Sequence, residues 1–353
     1  MVNAEVPARR QRPARVSAAD VARAVGVSPA TVSYVMNGRA GVSAQTRAKI
    51  LEVAEELGHI SSARADRLRS HQTRVIGLIL TDIANPFYTE IAAGTIDAAR
   101  ARGYEVFLAH TQEDPQTLRS IVDAMIARQV DGVVITVLHP DDGEVIRSLR
   151  SAHIPLVQLS RRIQRIDADF VGIDDRAAAS EMMEHVVSHG YQDIVTVVGP
   201  RTSSASAARE EGFIRTAESH GIRTVAAQRI STYLSERGGY EAVEQVLARK
   251  SLPRVIVCGS DVIALGAISA LRERSLNVPD DVAVTGFDGL YPGPLVELTT
   301  INQPRREMAE QSIELLTRRI EGAGGSYQSV LRAHQLRIGT TCGCPRMRPH
   351  LAA

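Results

Sequence analysis

Along most of this chain, short runs of apolar residues alternate with longer segments in which apolar residues recur every three or four positions. The short runs predict β-strands, and the longer segments predict helices. Because the runs are almost continuously apolar, they favour a parallel sheet whose two faces are both covered by helices. The predicted strands are VIGLILT, YEVFLAH, DGVVITV, IPLVQLS, DFVGID, DIVTVVG, VAAQRIS, RVIVCGS and DVAVTGF.

The alternation of strand and helix begins a second time at DFVGID, which predicts an α/β body at 74–345 with two lobes of about 74–160 and 161–290. Each lobe is expected to be a doubly wound parallel sheet. A last helix in REMAEQSIELLTRRI and a strand near VLRAHQLRIG are expected to return the chain across both lobes. Ligands of such sheets bind at the carboxyl ends of strands, so a cleft between the lobes is the predicted ligand site.

Three short helical patterns at 17–60 precede the body and predict an all-α head of three helices. Ser17, with Asp20 three residues later, is a capping-box-like start for the first helix. In the second helix, Ser28 is a natural N-cap, and Pro29 occupies the first helical position. The residues expected to be buried in the second and third helices are Val32, Val35, Met36, Ile50, Val53 and Leu57.

The second helix of this head has the features of a DNA reader. Two short helices joined by a tight glycine-containing turn are typical of a helix-turn-helix unit, whose second helix enters the major groove. Pro29, Ala30 and Tyr34 are placed to face base edges. Thr31 and Ser33, with the helix N-terminus, are placed to contact phosphates. A generic helical hairpin is the alternative. The predicted DNA-contacting residues of the head are Ser28, Pro29, Ala30, Thr31, Ser33, Tyr34 and Asn37.

Positive charge is concentrated at the N-terminal end of the chain. Residues 1–74 carry twelve basic and six acidic side chains, a net charge of +6, which leaves −5 for the remainder within an overall charge of +1. A cationic head on a mildly anionic body suggests a polyanionic partner for the head alone, although a solvated basic face is the alternative. Residues 1–16 are expected to be a basic disordered tail, and residues 346–353 a C-terminal tail.

Cysteine content and hydropathy indicate the cellular compartment in which the protein works. Three cysteines cannot form a paired disulfide framework, which favours a reducing environment. The pair Cys342 and Cys344 lacks the second half of any metal-site spacing, so we predict neither a metal site nor a cofactor. No stretch approaches the roughly 18 apolar residues of a membrane span, and no apolar signal region follows the basic start. A cytoplasmic location, with no membrane partner, is expected.

Two other classes of protein are weighed against a DNA-binding regulator. A nucleotide-binding α/β enzyme is disfavoured, because no G-x-G-x-x-G follows a strand and the sequence has no P-loop and no G-x-S-x-G elbow. We therefore predict that the protein is not an enzyme. A solute-binding protein of a transport system would share the fold of the body, but it should carry an export signal and no cationic helical head.

Several motifs in the right order give the chain a family resemblance. DVARAVGVSPATVSYVMNG and VSAQTRAKILEVAEELGH resemble the head of LacI-type bacterial transcription regulators. Segments of the body resemble that family's core, which is built like the periplasmic sugar-binding proteins. The resemblance spans residues 17 to about 341 and implies a repressor whose operator affinity is controlled by a small effector. The body segments are RVIGLILTDIANPFYTEIAAGTIDAARARGY, EHVVSHGYQDIVTVVGP, SDVIALGAI, VTGFDG and LTTINQP.

The resemblance also gives a role to the segment 61–73, whose composition predicts a linker with no face able to bury itself. In the family this segment becomes a hinge helix when two subunits dock on an operator, and a leucine wedges into the minor groove. Leu68 falls on that position and Ala65 on the small residue before it, although Leu68 covering the core is the alternative. Departures from the family pattern that imply altered base preference or costlier hinge folding are Tyr34, Ser61, Ser62 and Asp66.

Effector-binding residues are implied by the same resemblance. Arg209 corresponds to the arginine that grips the effector and Asp288 to the aspartate that faces it, a pair that suits adjacent hydroxyl groups. A surface ion pair is the alternative. Ser160 and Ser260 replace the usual aspartate and asparagine. The predicted effector-binding residues are Asn85, Phe87, Tyr88, Ser160, Arg161, Arg209, Ser260, Asp261, Asp288 and Gln303.

The two serines bear on the identity of the effector, because they are shorter than the family's residues and remove one charge. They leave room for a bulkier effector or for a negative group near Arg161. We predict a sugar or sugar derivative, with a purine or another non-sugar metabolite as the alternative. Because one head reads too few base pairs to be selective, we also predict a homodimer on a pseudo-palindromic, double-stranded operator.

Overall fold

The computed structural model describes residues 16–36, 41–60, 72–137, 139–163, 166–225, 228–249, 252–290 and 297–345. The chain divides into two compact units, Met1–Arg74 and Val75–Ala353, each with its own apolar core. Three predicted DNA-contacting residues lie outside the described residues, namely Asn37, Ala65 and Leu68. No described helix combines the length and the apolarity needed to cross a lipid bilayer.

Three helices form the described part of the first unit: α1 (Ala18–Val25), α2 (Pro29–Met36) and α3 (Ala44–Glu56). Ser17 and Asp20 form the predicted capping box, because the Asp20 N–H donates to the Ser17 hydroxyl and the Ser17 N–H donates to the Asp20 carboxylate at 2.9 Å. Gly26 ends α1 at a φ of 80°, a left-handed conformation that favours glycine. The first helix thus starts and stops where the sequence predicts.

A small apolar core between the three helices holds this head together. The prediction for the third helix is wrong at Leu57, whose side chain is 40% exposed. The helix ends at Glu56, so Leu57 is already its C-cap and cannot continue the buried stripe. The side chains fully buried in the core are Val21, Val32, Val35, Ile50, Leu51 and Ala54.

Strands and helices alternate through most of the second unit. The described strands are β1 (Val75–Leu80), β2 (Glu105–His110), β3 (Gly132–Ile135), β4 (Leu156–Leu159), β5 (Asp169–Gly172), β6 (Ile194–Val198), β7 (Arg229–Ser231), β8 (Val255–Cys258), β9 (Ala283–Thr285), β10 (Thr300–Asn302), β11 (Ser329–Leu331) and β12 (Gln335–Arg337). The described helices are α4 (Pro86–Arg100), α5 (Pro115–Ala127), α6 (Gly143–Ser151), α7 (Asp175–Ser188), α8 (Ser204–Ser219), α9 (Glu236–Leu247), α10 (Asp261–Glu273) and α11 (Arg305–Ile320). Each of the nine strands predicted in the body has its counterpart among β1–β9.

Six parallel strands form the first sheet, in the order β11-β5-β4-β3-β1-β2. The strand β5, which the sequence placed at the start of the second lobe, therefore belongs to the first sheet. The evidence is the pairing itself, because β5 pairs in parallel with β4, with Val157 opposite Asp169 and Leu159 opposite Val171. The Ser160 N–H extends this pairing by donating to the Val171 carbonyl at 2.8 Å, so the sheet continues past the predicted lobe boundary near 160.

The second sheet has four parallel strands in the order β7-β6-β8-β9. The chain then returns to the first lobe, where α11 packs against α4. The single strand predicted near VLRAHQLRIG is two strands, because β11 pairs with β5 and β12 pairs antiparallel with β10. This segment therefore belongs partly to the first sheet and partly to the edge of the second lobe.

In the second lobe, α9 and α10 pack at close range through glycines. A Cβ atom at Gly239 would lie 2.0 Å from the Ile263 carbonyl oxygen, and one at Gly266 would lie 1.8 Å from the Glu236 carbonyl oxygen. Both obstructing atoms belong to the backbone, so no side-chain rotation relieves the clash. The two helices therefore reach this distance only because both positions are glycine.

We expect Gly266→Ala to lower the free energy of unfolding by about 1–3 kcal/mol, because the added methyl group forces α9 and α10 apart. Gly324→Ala is the matched control, since Gly324 has open space around its Cβ position and no left-handed φ. It should change the free energy by less than about 0.5 kcal/mol. Urea unfolding followed by circular dichroism measures both variants, and equal effects would contradict the close packing.

Candidate functional site

Arg209 of α8 is the centre of a buried charge network in the body. Its Nε donates to the Asp175 carboxylate at 2.8 Å, and its Nη1 donates to the Asp288 carboxylate at 3.0 Å and to the Gly259 carbonyl at 2.7 Å. The guanidinium lies over the Phe287 ring, with its Cζ 3.9 Å from the ring centroid. The predicted pair of Arg209 and Asp288 is thus in direct contact, and Asp175 is a partner that the sequence did not reveal.

The partners of Arg209 all follow the carboxyl ends of strands. Asp175 begins α7 just after β5 of the first sheet, Gly259 follows β8, and Asp288 follows β9. Asp288 has a φ of 117°, a strained conformation for a residue other than glycine. The network therefore joins strand ends of both sheets, as expected for a ligand site in this architecture.

Burial dominates the protonation of the two carboxylates. It raises the pKa of Asp175 against the opposing charge of Arg209, and it raises the pKa of Asp288 against Arg209 and Arg305. Arg209 exposes only 7% of its side chain, so its positive charge is compensated by these two carboxylates rather than by water.

Gln303 and Arg305 complete the surroundings of Asp288. Gln303 Nε2 donates to the same Asp288 oxygen as Arg209 does, at 2.8 Å. Arg305 donates to the backbone carbonyls of Asp288 and Gly289, and its Nε donates to the Glu90 carboxylate at 2.5 Å. Because Glu90 lies on α4 of the first lobe, Arg305 connects that lobe to the turn after β9. Only Gln303 of this pair was predicted from the sequence.

Arg161 belongs to a second cluster at the carboxyl ends of the first sheet. Its two terminal nitrogens donate to the two oxygens of Glu113 at 2.9 and 2.7 Å, and one of them also donates to the Tyr88 hydroxyl at 3.3 Å. His139 lies 2.9 Å from the same carboxylate. Arg161 is only 2% exposed and its charge is met by Glu113, so an anion near this arginine would have to compete with that carboxylate, and its role in effector binding stays a prediction.

The carboxylate of Glu113 is held ionised by its partners. Burial alone would raise the pKa of Glu113, but hydrogen bonds from His139 and Arg161 outweigh it and lower the pKa to about 2. In turn, the hydrogen bond to Glu113 raises the pKa of His139. The four residues of this cluster follow the ends of β1 to β4, although sequence separation hid Glu113 and His139 from prediction.

Three predicted effector-binding residues near the start of α4 stabilise the fold of the first lobe. The Asn85 side-chain oxygen accepts from the Phe87 N–H at 3.0 Å and so caps the helix. Phe87 and Tyr88 are each 4% exposed, belong to the main apolar core, and contact each other edge to face with ring centroids 5.1 Å apart. Neither ring therefore presents an open face for stacking on a ligand. The amide nitrogen of Asn85 remains the polar group that this position offers.

Ser160, Ser260 and Asp261 differ in what they can offer a ligand. Ser160 is buried in the turn between β4 and β5. Ser260 is buried beside the Asp288 carboxylate, and its hydroxyl makes no hydrogen bond of standard geometry within the described residues. Asp261 accepts from the Thr300 hydroxyl and from the Leu290 N–H, each at 2.6 Å. Each Asp261 oxygen thus accepts a hydrogen bond inside the second lobe, and a contact between Asp261 and a ligand stays a prediction.

A direct hydrogen bond links the carboxyl ends of strands in the first sheet to those in the second sheet. The Arg162 N–H, in the turn after β4, donates to the Ser204 hydroxyl at the start of α8 at 2.9 Å. Arg209 lies further along the same helix. The first-lobe turn that carries Arg161 is therefore connected to the helix that carries Arg209.

In the head, α2 exposes the predicted DNA-contacting residues on the side opposite its buried valines. The Ser28 hydroxyl accepts from the Thr31 N–H at 3.1 Å and lies 2.8 Å from the Thr31 hydroxyl, so it caps the helix. Tyr34 is 46% exposed. The predicted residues classed as exposed are Ser28, Pro29, Ala30, Ser33 and Tyr34, and Thr31 is half-buried.

Two family profiles match the chain, one for each unit. Residues 18–62 match the bacterial regulatory proteins of the lacI family. Residues 73–338 match the periplasmic binding proteins and sugar binding domain of the LacI family. The second match alone covers most of the body and includes every predicted effector-binding residue.

Similar proteins agree with the profiles. The ribose operon repressor of Escherichia coli (strain K12) is 30% identical over 305 residues, which are 85% of this chain and 92% of that protein. The HTH-type transcriptional repressor PurR of Pasteurella multocida (strain Pm70) is 29% identical over 303 residues, 85% of this chain and 91% of that protein. The crystal structure of the lac repressor dimer bound to operator and the anti-inducer ONPF superposes with a TM-score of 0.71 at 25% identity, covering 93% of this chain and 99% of that one.

Proposed function

The chain belongs to the LacI family of bacterial regulatory proteins and is a DNA-binding transcriptional regulator with an effector-binding body; on this premise we propose that its effector is a sugar or sugar derivative. The proposed contacts are Arg209, Asp288 and Gln303. The observation that carries the proposal is the set of hydrogen-bonding groups that Arg209 and Asp288 leave unused within the described part of the body.

The unused groups form a donor and an acceptor side by side. Arg209 employs Nε and Nη1 in its network, and Nη2 makes no hydrogen bond to the described residues. One oxygen of Asp288 accepts from both Arg209 and Gln303, which leaves the other for a ligand near the Ser260 hydroxyl. A guanidinium donor next to a carboxylate acceptor matches two neighbouring hydroxyl groups, as on a sugar ring.

The groups at this site match a purine less well than they match a sugar. An open aromatic face would favour a planar base, because the two rings can stack. The rings of Phe87 and Tyr88 are buried against each other and the core, and Arg209 covers Phe287. Hydroxyl recognition at Arg209 and Asp288 therefore supports the sugar more strongly than the purine.

The proposed mechanism is a two-state change in the body. An effector that hydrogen-bonds to the unused groups of Arg209 and Asp288 binds the two lobe arrangements with different affinity, and it shifts the population towards the better-binding one. The operator affinity of the head then changes, and the coupling is reciprocal. In the head, the residues exposed on α2 are the proposed DNA contacts, and Ala65 and Leu68 remain the proposed minor-groove contacts. The compartment in which this regulation takes place is proposed to be the cytoplasm.

A homodimer is proposed from the first sheet. Its edge strand β2 is six residues long and leaves Phe107 and Leu108 exposed by 45% and 39%. Exposed apolar residues on an unpaired edge favour association with a second copy of the chain. The dimeric lac repressor structure shows that the similar fold assembles in pairs on DNA. The opposite edge, β11, is only three residues long and makes a poorer partner.

For the effector site, we expect Arg209→Lys to weaken sugar binding by at least about tenfold, about 1.4 kcal/mol, because lysine keeps the charge but loses the forked donors. Arg201→Lys is the matched control, since Arg201 pairs with Glu210 on the same lobe and is half exposed. Isothermal titration of sugars, sugar phosphates and purines against the wild type identifies the ligand and then measures both variants. Binding confined to purines, or an Arg209→Lys variant that binds sugar with wild-type affinity, would contradict the proposal.

For the dimer, we expect Phe107→Glu to raise the dimer dissociation constant by at least about tenfold, because a carboxylate would be buried at the interface. Leu331→Glu serves as the control, since Leu331 lies on the opposite edge of the same sheet and is 50% exposed. Sedimentation velocity over a concentration series measures both. If Leu331→Glu dissociates the dimer and Phe107→Glu does not, the wrong edge has been assigned.

A further inference from the structure

Two pairs of metal-ligating side chains, far apart in sequence, meet on the second lobe. His185 and His189 lie near the C-terminal end of α7, four residues apart and thus on one face of the helix. Cys342 and Cys344 lie in the segment after β12. The four candidate ligand atoms all lie within 4.8 Å of one another.

The distances between these atoms match a four-coordinate metal site. His185 Nε2 lies 3.3 Å from the Cys342 sulfur and 3.8 Å from the Cys344 sulfur, and His189 Nε2 lies 3.4 Å from the Cys344 sulfur. With Zn–S bonds of about 2.3 Å and Zn–N bonds of about 2.0 Å, a tetrahedron places neighbouring ligand atoms about 3.3–3.8 Å apart. The three N–S distances thus fall within this range, and ligand atoms that lie as far as 4.8 Å apart would move closer when an ion binds.

Local structure holds the cysteine pair in place. The Tyr191 hydroxyl donates to the Cys342 carbonyl at 3.0 Å, and the Tyr191 ring stacks on the His189 ring with centroids 5.6 Å apart. Between the cysteines, Gly343 has a φ of 94°, and a Cβ there would lie 2.8 Å from the Tyr191 hydroxyl. The tight turn that points both sulfurs at the histidines is therefore available to glycine and would be obstructed by a larger residue.

A further contact orients the sulfur of Cys342. The Thr299 hydroxyl donates to the Cys342 sulfur at 3.0 Å, and Thr299 itself accepts from the Gly339 N–H at 2.9 Å. Hydrogen bonds of this kind orient a metal ligand. Cys342 is buried, whereas the other three ligands are partly exposed, so an ion can enter from the surface.

We propose that His185, His189, Cys342 and Cys344 bind one Zn²⁺ ion in a structural, four-coordinate site. Two thiolates with two imidazoles form a ligand set that suits zinc. All four positions are filled by protein, as in structural sites, whereas a catalytic site keeps a position open for water. The sequence missed this site because 152 residues separate His189 from the first cysteine of the pair, and the C-x-C spacing by itself has no partner pair nearby.

The ion would tie α7 to the end of the chain. Residues next to Cys342 are built into the second lobe, since the Thr341 carbonyl accepts from the Val284 N–H of β9 at 2.8 Å. The other end of α7 carries Asp175, the partner of Arg209. A bound zinc ion would thus hold together α7 and β9, which flank the proposed effector site. The proposal of a metal site does not depend on the identity of the effector.

The first test uses the wild-type, full-length protein, purified reduced and without chelators. Elemental analysis should give one zinc per chain. Replacement of the metal by Co²⁺ should give the intense visible d–d bands of a tetrahedral ion together with a thiolate-to-cobalt charge-transfer band. A chelator should lower the midpoint of thermal unfolding, and added Zn²⁺ should restore it.

Variants then assign the ligands. Cys344→Ser and His189→Asn should each weaken Co²⁺ binding by more than about 100-fold and abolish the effect of the chelator. His220→Asn is the control, since His220 is an exposed histidine paired with Glu184 and should bind as the wild type does. The proposal is overturned if the wild type gives no tetrahedral Co²⁺ spectrum. It is equally overturned if Cys344→Ser and His220→Asn bind the metal alike.

Discussion

The ionic network that holds Arg209 between Asp175 and Asp288 is the constraint on which the proposed effector site depends. Charges removed from water are stabilised only when their hydrogen bonds are made inside the protein, and removing one partner leaves a costly unpaired charge. Since Asp175 follows a strand of the first sheet and Asp288 a strand of the second, the network forms only when these strand ends lie in one arrangement. A ligand that hydrogen-bonds to members of this network therefore acts on the relative position of the strand ends of both sheets.

Two contacts connect the ligand site to the first lobe. Arg305 bridges Glu90 of the first lobe and the turn that carries Asp288, so a ligand bound to Asp288 acts next to an inter-lobe ion pair. The hydrogen bond from Arg162 to Ser204 connects the first lobe to the helix of Arg209. Arg161, by contrast, is locked to Glu113 and reinforces the first lobe. The proposed ligand thus makes its contacts chiefly with the second lobe.

Local patterns predicted much of this fold, and long-range pairing accounts for what they missed. The nine body strands and the capping box at Ser17 follow from periodicity and cap chemistry, which depend on near neighbours. The membership of β5 in the first sheet depends on its pairing with β4, which periodicity along the chain does not reveal. Asp175 and Glu113 meet their arginines only through the topology, as the histidines of α7 meet the C-terminal cysteines. Family resemblance supplied Arg209 and Asp288, but the structure was needed to show that Asp261, Phe87 and Tyr88 are already engaged.

The central claim, that ligand binding in the body is coupled to DNA binding by the head, is tested most directly by reciprocity. The affinity for the sugar identified by calorimetry is measured with and without a saturating palindromic operator duplex from the protein's own locus. The affinity for that duplex is measured with and without the sugar. The account predicts that both affinities change by the same factor, commonly about 5–150-fold in coupled systems, and that the DNA affinity falls steeply with salt. A sugar affinity unchanged by a bound operator would contradict it.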